Sequence, residues 1–192
     1  TGNDGGDINI KSQYKIVQSY SSEINSTGNT NGGNILLSAP NIMSSGSVSA
    51  KGNQQGGYID IESEGYIRLL SSKIDVTGNT QGGLVRIGGE FQGNNNLTRT
   101  EEQQDVFVDR WGERRSLTNA KTVLVSDGSS IDISSSSGKA GTAIIWSDQE
   151  TTMLANIDAT GTTGGAVEIS SKDTLRHVGL SNVNISEGGN LL

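Results

Sequence analysis

The sequence has no cysteine, one proline, one histidine and only 4% aromatic residues. Without cysteine there is no disulfide framework and no thiolate metal site, and redox chemistry assigns no compartment. The lone histidine, His177, leaves little room for a His-based triad or a multi-histidine metal centre. An exposed position on a strand is the expectation for it. Hydrophobic residues make up 31% of the chain, and no run approaches the roughly 20 apolar residues of a membrane-spanning helix. No basic, apolar signal peptide is visible, and membrane insertion is not expected. Lys and Arg number 14 against 21 Asp and Glu, a net charge of −7. Such a surface repels phosphate backbones, so nucleic acid is a disfavoured partner.

Low hydrophobicity with net negative charge is also the composition of disordered chains. The arrangement argues against disorder, because the apolar residues fall in short alternating runs between 27 glycines. Aligned on paired glycines, the chain reads "TGNDGGDINI" (1–10), "TGNTNGGNILL" (27–37), "KGNQQGGYIDI" (51–61) and "TGNTQGGLVRI" (77–87). Weaker copies follow at "GKAGTAIIW" (138–146), "TGTTGGAVEI" (160–169) and "EGGNLL" (187–192). The first glycine of each pair falls at Gly5, Gly32, Gly56, Gly82, Gly141, Gly164 and Gly188, giving spacings of 27, 24, 26, 59, 23 and 24. One fixed period with one long interval is the mark of a solenoid.

Each period carries three short apolar stretches. Alternation puts Ile8 and Ile10, Ile59 and Ile61, Val85 and Ile87, and Val167 and Ile169 on one face. A helix is excluded, since the apolar spacing is two and glycine interrupts every candidate. One circuit cannot bury its own inner face, but circuits stacked about 4.8 Å apart pair in parallel and share a thin core. The reading is therefore all-β: a right-handed parallel β-helix of about six to seven coils with one long inserted loop. Residues 1–192 form a single β-helix segment, expected to belong to a longer protein because the chain opens inside a repeat. Corner glycines would serve either positive φ or close backbone approach. Asn3, Asn29, Asn53 and Asn79 recur after the first glycine and would form a hydrogen-bonded structural ladder.

The long interval places a charged insertion at residues 91–121, expected to project from the coil. Its text is "FQGNNNLTRTEEQQDVFVDRWGERRSLTNAK". "DVFVDRW" is expected as a short strand or hairpin arm folded back on the rod. Two readings stand side by side. In one, the insertion is a self-packed arm that braces a weak spot. In the other, Trp111 with Arg110, Arg114, Arg115 and Phe107 forms a binding patch, since Trp and Arg anchor interfaces and an aromatic face suits sugars.

From Gly82 onward, "GGLVRIGGEFQG" (82–93), "NAKTVLVSDGSSIDISSSSGKAGTAIIWSD" (119–148), "GGAVEISSKDTLRHVGL" (164–180) and "GGNLL" (188–192) resemble the repeat region of filamentous-haemagglutinin-like bacterial exoproteins. The resemblance covers residues 82–192 well and the first third only in repeat style. It implies a right-handed β-helix in an elongated adhesin, exported by two-partner secretion through an outer-membrane transporter of the parent protein. Two departures stand out. The family links "QG" to "NA" by a short loop, where about two dozen residues intervene here. The family's amino-terminal secretion domain, with its transporter-recognition motifs, is not visible.

Two outward columns remain. Asp75, Asp132 and Asp158, flanked by Asn25 and Asn184, would stack at strand spacing and attract a hard cation such as Ca²⁺. The plainer reading is solvated acids and no metal. Asp60 and Arg86 hold matching outward positions and would pair as exposed ions, worth about 0–1 kcal/mol. No cofactor is expected. The functional expectation is a structural and adhesive segment of a secreted or cell-surface bacterial filament, not an enzyme, presenting a loop to a glycan or protein on a host or neighbouring cell. The alternatives are a β-helical polysaccharide lyase or hydrolase, and a surface-layer or filament subunit that associates end to end.

Overall fold

Six successive circuits of the repeat each contribute one strand to each side of a three-sided stack, and a seventh adds a strand to the first side. The computed structural model describes residues 3–94, 99–177 and 183–192. The first sheet has seven strands: Asp7–Lys11, Asn34–Ser38, Tyr58–Glu62, Leu84–Ile87, Thr142–Ile145, Ala166–Ile169 and Asn190–Leu191. The second has six: Ile16–Gln18, Asn41–Ser44, Tyr66–Leu69, Thr122–Val125, Glu150–Met153 and Thr174–His177. The third also has six: Glu23–Asn25, Ser47–Ser49, Lys73–Asp75, Ser130–Asp132, Asn156–Ala159 and Val183–Ile185. In each sheet neighbours follow chain order, and the pairings are parallel. The fold is a parallel β-solenoid of about seven turns, as the glycine period predicts.

The register is that of the sequence alignment. Ile8, Ile35, Ile59, Val85, Ala143 and Val167 stack in one column. Ile10, Leu37, Ile61, Ile87, Ile145 and Ile169 form the next. Ile24, Val48, Ile74, Ile131, Ile157 and Val183 face them from the third sheet. These columns meet in one continuous core. Each fully buried Ile, Leu or Val side chain contributes about 1.5–3 kcal/mol, so a slender interior of aliphatic groups holds the rod together.

The corners show what the recurring glycines do. Gly32 donates its N–H to Gln55 O (2.8 Å) and Gly56 to Gln81 O (2.9 Å), each on the next coil. Neither has positive φ, but a Cβ added at Gly56 would overlap the carbonyl oxygen of Val76 and the amide of Gly83. Close backbone approach is the reason for glycine here. The expected asparagine ladder does not form. Among the described residues no hydrogen bond joins the side chains of Asn3, Asn29, Asn53 and Asn79; all four are exposed, and Asn79 Oδ1 instead accepts from Ser136 Oγ at 3.0 Å. Backbone bridges Gly28–Gly52–Gly78–Ser135 already align this corner, leaving the amides free to face water.

His177 is not on the outward face. It pairs with Met153 in the inward column that runs through Leu69 and Val125, and it is half-buried. The alternation of "TLRH" places it there, two positions after Leu175.

Candidate functional site: the covered face of the first sheet

Outward positions on a solvated sheet are ordinarily polar, and on the first sheet several are not. Leu84, Ile144 and Ala166 point away from the core yet are buried. The insertion covers them. It opens with a 3-10 turn at Phe91–Asn94, continues as a helix at Glu101–Phe107, and closes with a second 3-10 turn at Asp109–Trp111.

The helix replaces the strand expected from "DVFVDRW". Thr100 caps it: its hydroxyl accepts from Gln103 N at 3.1 Å, and the Gln103 side chain accepts from Thr100 N at 3.0 Å. This reciprocal capping box, with Glu101 and Glu102 in the first turn, is a stronger local signal than the three consecutive apolar residues Val106, Phe107 and Val108. The segment lies flat instead of projecting. Val106, Phe107 and Trp111 pack with Phe91 on Leu84, Ile144 and Ala166. Phe91 and Phe107 stack with centroids 4.4 Å apart, and Thr142 Oγ1 donates to Val106 O at 3.1 Å.

Its base is a closed neck built from phrases far apart in the chain. Ala120 N donates to Gly88 O (2.8 Å) and Asp148 N to Ala120 O (2.8 Å). Asn119 Nδ2 donates to Gly93 O and to Asp148 Oδ1, both at 3.1 Å, and Trp146 Nε1 donates to the same Asp148 oxygen at 3.1 Å. A Cβ at Gly93 would run into the Trp146 indole, and Gly93 has φ +62. Thus "GGEFQG", "NAKT" and "IIWSD", the phrases that carry the resemblance, converge on one spot.

Beneath the insertion lies an ion network. Arg86 grips Asp60 with two bonds, Nε to Oδ1 at 2.8 Å and Nη2 to Oδ2 at 2.7 Å. Both residues are buried, 5% and 3% exposed, so this is not the exposed pair expected from the sequence. Arg86 Nη1 also donates to Arg115 O at 3.2 Å. Arg115 Nη2 donates to Glu62 Oε1 at 2.9 Å, and Thr118 N donates to Glu62 Oε2 at 3.0 Å. Burial pushes the Glu62 carboxyl up, but the bonds from Arg115, Thr118 and Ser38 outweigh it and hold it below the usual range. Arg114 lies over the Tyr58 ring at 3.8 Å, with Nη2 3.8 Å from Asp60 Oδ2.

Glu168 is the second buried acid of this face, fully shielded from solvent. Burial raises its carboxyl to about 7, against the bonds from Ser170 Oγ (2.6 Å) and Gln92 N (3.0 Å). Gln92 and Asn94, which flank Gly93, both have positive φ, so Glu168 tethers an unusual run of backbone to the sheet. Arg110 sits over the Trp111 ring at 4.7 Å, and burial lowers its guanidinium to about 10.

The residues expected as a binding patch are therefore brought together, but facing inward. Phe107 is 3% exposed and Trp111 7%, so neither offers an aromatic face to solvent. Arg114 and Arg115 spend their charge on Tyr58, Asp60 and Glu62; Arg115 alone of the group is exposed. Between insertion and sheet remains a cavity of about 230 Å³, walled by Leu84, Ile144, Phe107, Val108, Trp111 and Arg114. Sequence reading missed Asp60, Glu62, Glu90 and Glu168 as parts of this site.

The aspartate column stacks as expected: Asp75 pairs with Asp132 and Asp132 with Asp158, extended by Asn184. Its oxygens are engaged in turns. Asp75 Oδ1 accepts from Thr77 N, Asp132 Oδ1 from Ser134 N and Asp158 Oδ1 from Thr160 N, each at 3.0 Å. Lys51 Nζ lies 3.2 Å from Asp75 Oδ2. Among the described residues no group of three acidic, histidine or cysteine side chains is placed to hold a metal ion.

No protein-family model matches the sequence, and no curated protein matches it. Among the described residues no helix is long and apolar enough to cross a membrane. A solved structure is similar in fold: the crystal structure of the HMW1 secretion domain from Haemophilus influenzae, at a TM-score of 0.63 and 26% identity. The match covers 97% of this chain and 48% of that one, so the chain spans about half the length of that structure.

Proposed function

We propose that this chain is a rod-forming segment of a secreted or cell-surface bacterial adhesin of the filamentous-haemagglutinin-like, two-partner-secretion type. The observation that carries the reading is the likeness to a secretion domain over 97% of the chain, joined to the phrases that converge at the neck. The work of such a segment is geometric: in-register parallel coils give a stiff spacer, and the insertion covers the outward apolar residues Leu84, Ile144 and Ala166 of the first sheet. The likeness also supports placing this stack in or beside the secretion domain of the parent, whose transporter-recognition motifs are not visible in the sequence. An outer-membrane transporter would then be a partner during export, and a surface glycan or protein a partner afterwards. A polysaccharide lyase or hydrolase has less support, because Arg114 and Arg115 are turned onto Asp60 and Glu62 of the sheet, whereas Asp105 and Asp109 of the insertion are exposed.

An antibody raised against the folded chain tests this on the source organism. Labelling of intact cells, or recovery of the antigen from the culture medium, is expected. A signal confined to lysed cells would contradict the reading.

A further inference from the structure

We propose that the tip of the insertion, residues 101–112, is a lid that opens while the coils stay folded and so uncovers the outward apolar residues Leu84, Ile144 and Ala166. Five buried side-chain polar atoms among the described residues lack a partner, and four of them cluster here: Arg110 Nη1 and Nη2, Trp111 Nε1 and, just past the tip, Arg114 Nε. All four are N–H donors on groups with no acceptor capacity. A donor shut away from water without a partner costs the closed state its full desolvation penalty. The Trp111 ring beneath Arg110, 4.7 Å away, answers its charge but not its N–H groups. Burial accordingly lowers that guanidinium to about 10, against the attraction of Asp105. Opening returns the Arg110 and Trp111 donors to water, so the closed lid carries a standing cost that the coils do not.

The attachment of the tip is correspondingly light. Its backbone bonds, such as Val108 N to Gln104 O at 3.1 Å and Trp111 N to Val108 O at 3.0 Å, are internal to it. Toward the first sheet it has the Thr142 Oγ1 bond to Val106 O and apolar contact. That contact leaves the cavity of about 230 Å³ between Phe107, Val108 and Trp111 on one side and Leu84 and Ile144 on the other. Both ends are anchored independently of the tip. Arg99 Nη2 donates to Phe91 O at 3.0 Å on the entry side, and Arg115 holds Glu62 on the exit side. Between tip and exit anchor stands Gly112, at φ 64 and ψ −165, a conformation open essentially to glycine, with open space where a Cβ would be. A pivot there lets the tip swing while Asn119 and Gly93 keep the neck closed. The lid rests on this geometry and not on the adhesin reading.

With no native cysteine in the chain, single thiols report the opening in the whole protein. Ala166 lies under the lid on the outward side, whereas Ala143, on the neighbouring strand, faces the core; they are 1% and 0% exposed. Ala166→Cys is expected to react with N-ethylmaleimide at least about 100-fold faster than Ala143→Cys, since one needs only the lid to open and the other needs the coils to part. Arg110→Met keeps an unbranched stem over Trp111 and removes the donors. It is expected to close the lid more firmly and slow the Ala166→Cys reaction about tenfold, with the Ala143→Cys reaction unchanged. Arg110→Lys, which keeps a charged donor there, is expected not to slow it. Should Arg110→Met lose the far-ultraviolet spectrum of the parent, Arg110→Leu must give the same slowing. Equal rates at the two thiols, or no slowing by the donor-free variants, overturn the proposal, as does equal slowing by Arg110→Lys.

Discussion

Arg86 and Asp60, 26 residues apart on adjacent coils, form a two-bonded ion pair of 2.8 and 2.7 Å on the outward side of a sheet, yet both are buried. Removing one member leaves an uncompensated charge under the insertion. Arg86→Ala is expected to destabilise the chain by about 3–5 kcal/mol, while the double replacement Asp60→Leu with Arg86→Met costs far less or nothing. Denaturant unfolding of the two variants makes the comparison. A single variant within about 1 kcal/mol of the parent would show the pair to be solvated.

Glu168 makes stability depend on pH in an unusual direction. Its carboxyl lies at about 7 in the folded chain against an ordinary 4.5. Between those values the folded chain holds a proton that the unfolded chain releases, so this contribution is full below about 4.5 and is lost as pH rises to about 7. The whole loss is about 3 kcal/mol. Glu168→Gln is expected to gain stability relative to the parent across that window and to level off above it. Glu62, whose carboxyl is lowered, works in the opposite sense but is present in both proteins and cancels in the difference. Parallel stability–pH curves would refute the assignment.

The fold was legible because its rule is local and repeated. The spacing of Gly32, Gly56 and Gly82 sets the coil, and period-two alternation sets which residues face in. The covered face was only partly legible. "LVRI" and "TAII" carry apolar residues on both sides of the strand, a pattern that calls for a cover on each side, and Thr100 with Gln103 spells a helix start. The contact between Arg115 and Glu62, 53 residues apart, has no local signature, since it depends on where the insertion lies down. His177 and the asparagines show the limit from the other side: the stacking of the asparagines followed from register but their partners did not, and for His177 the strand was legible but its inward face was not.

Separating the roles of glycine and asparagine at the corner needs two substitutions. Gly56→Ala forces a Cβ into the backbone of the next coil and is expected to lower the melting temperature markedly. Asn53→Ala, at an exposed side chain with no ladder bond, is expected to stay within about 0.5 kcal/mol of the parent. Equal effects would restore a structural role for the asparagine.

The insertion is expected to act as a cover and not as a folding nucleus. Replacing residues 94–118 by a short Gly-Ser link, across a neck already closed by Asn119 and Gly93, should keep the β-type far-ultraviolet spectrum. It should also expose Leu84, Ile144 and Ala166, raising dye binding and promoting self-association. Loss of the β spectrum would mean that the coils need the insertion to form.

Stacking itself is tested most directly by distances along one outward column of the second sheet, Val17, Met43, Arg68, Leu124, Thr152 and Arg176. The absence of native cysteine lets spin labels be placed cleanly at Val17→Cys with Thr152→Cys, and at Val17→Cys with Arg176→Cys. The account predicts narrow separations of about 19 and about 24 Å, one strand spacing apart. Broad distributions, or two separations that do not differ by one such step, would contradict it.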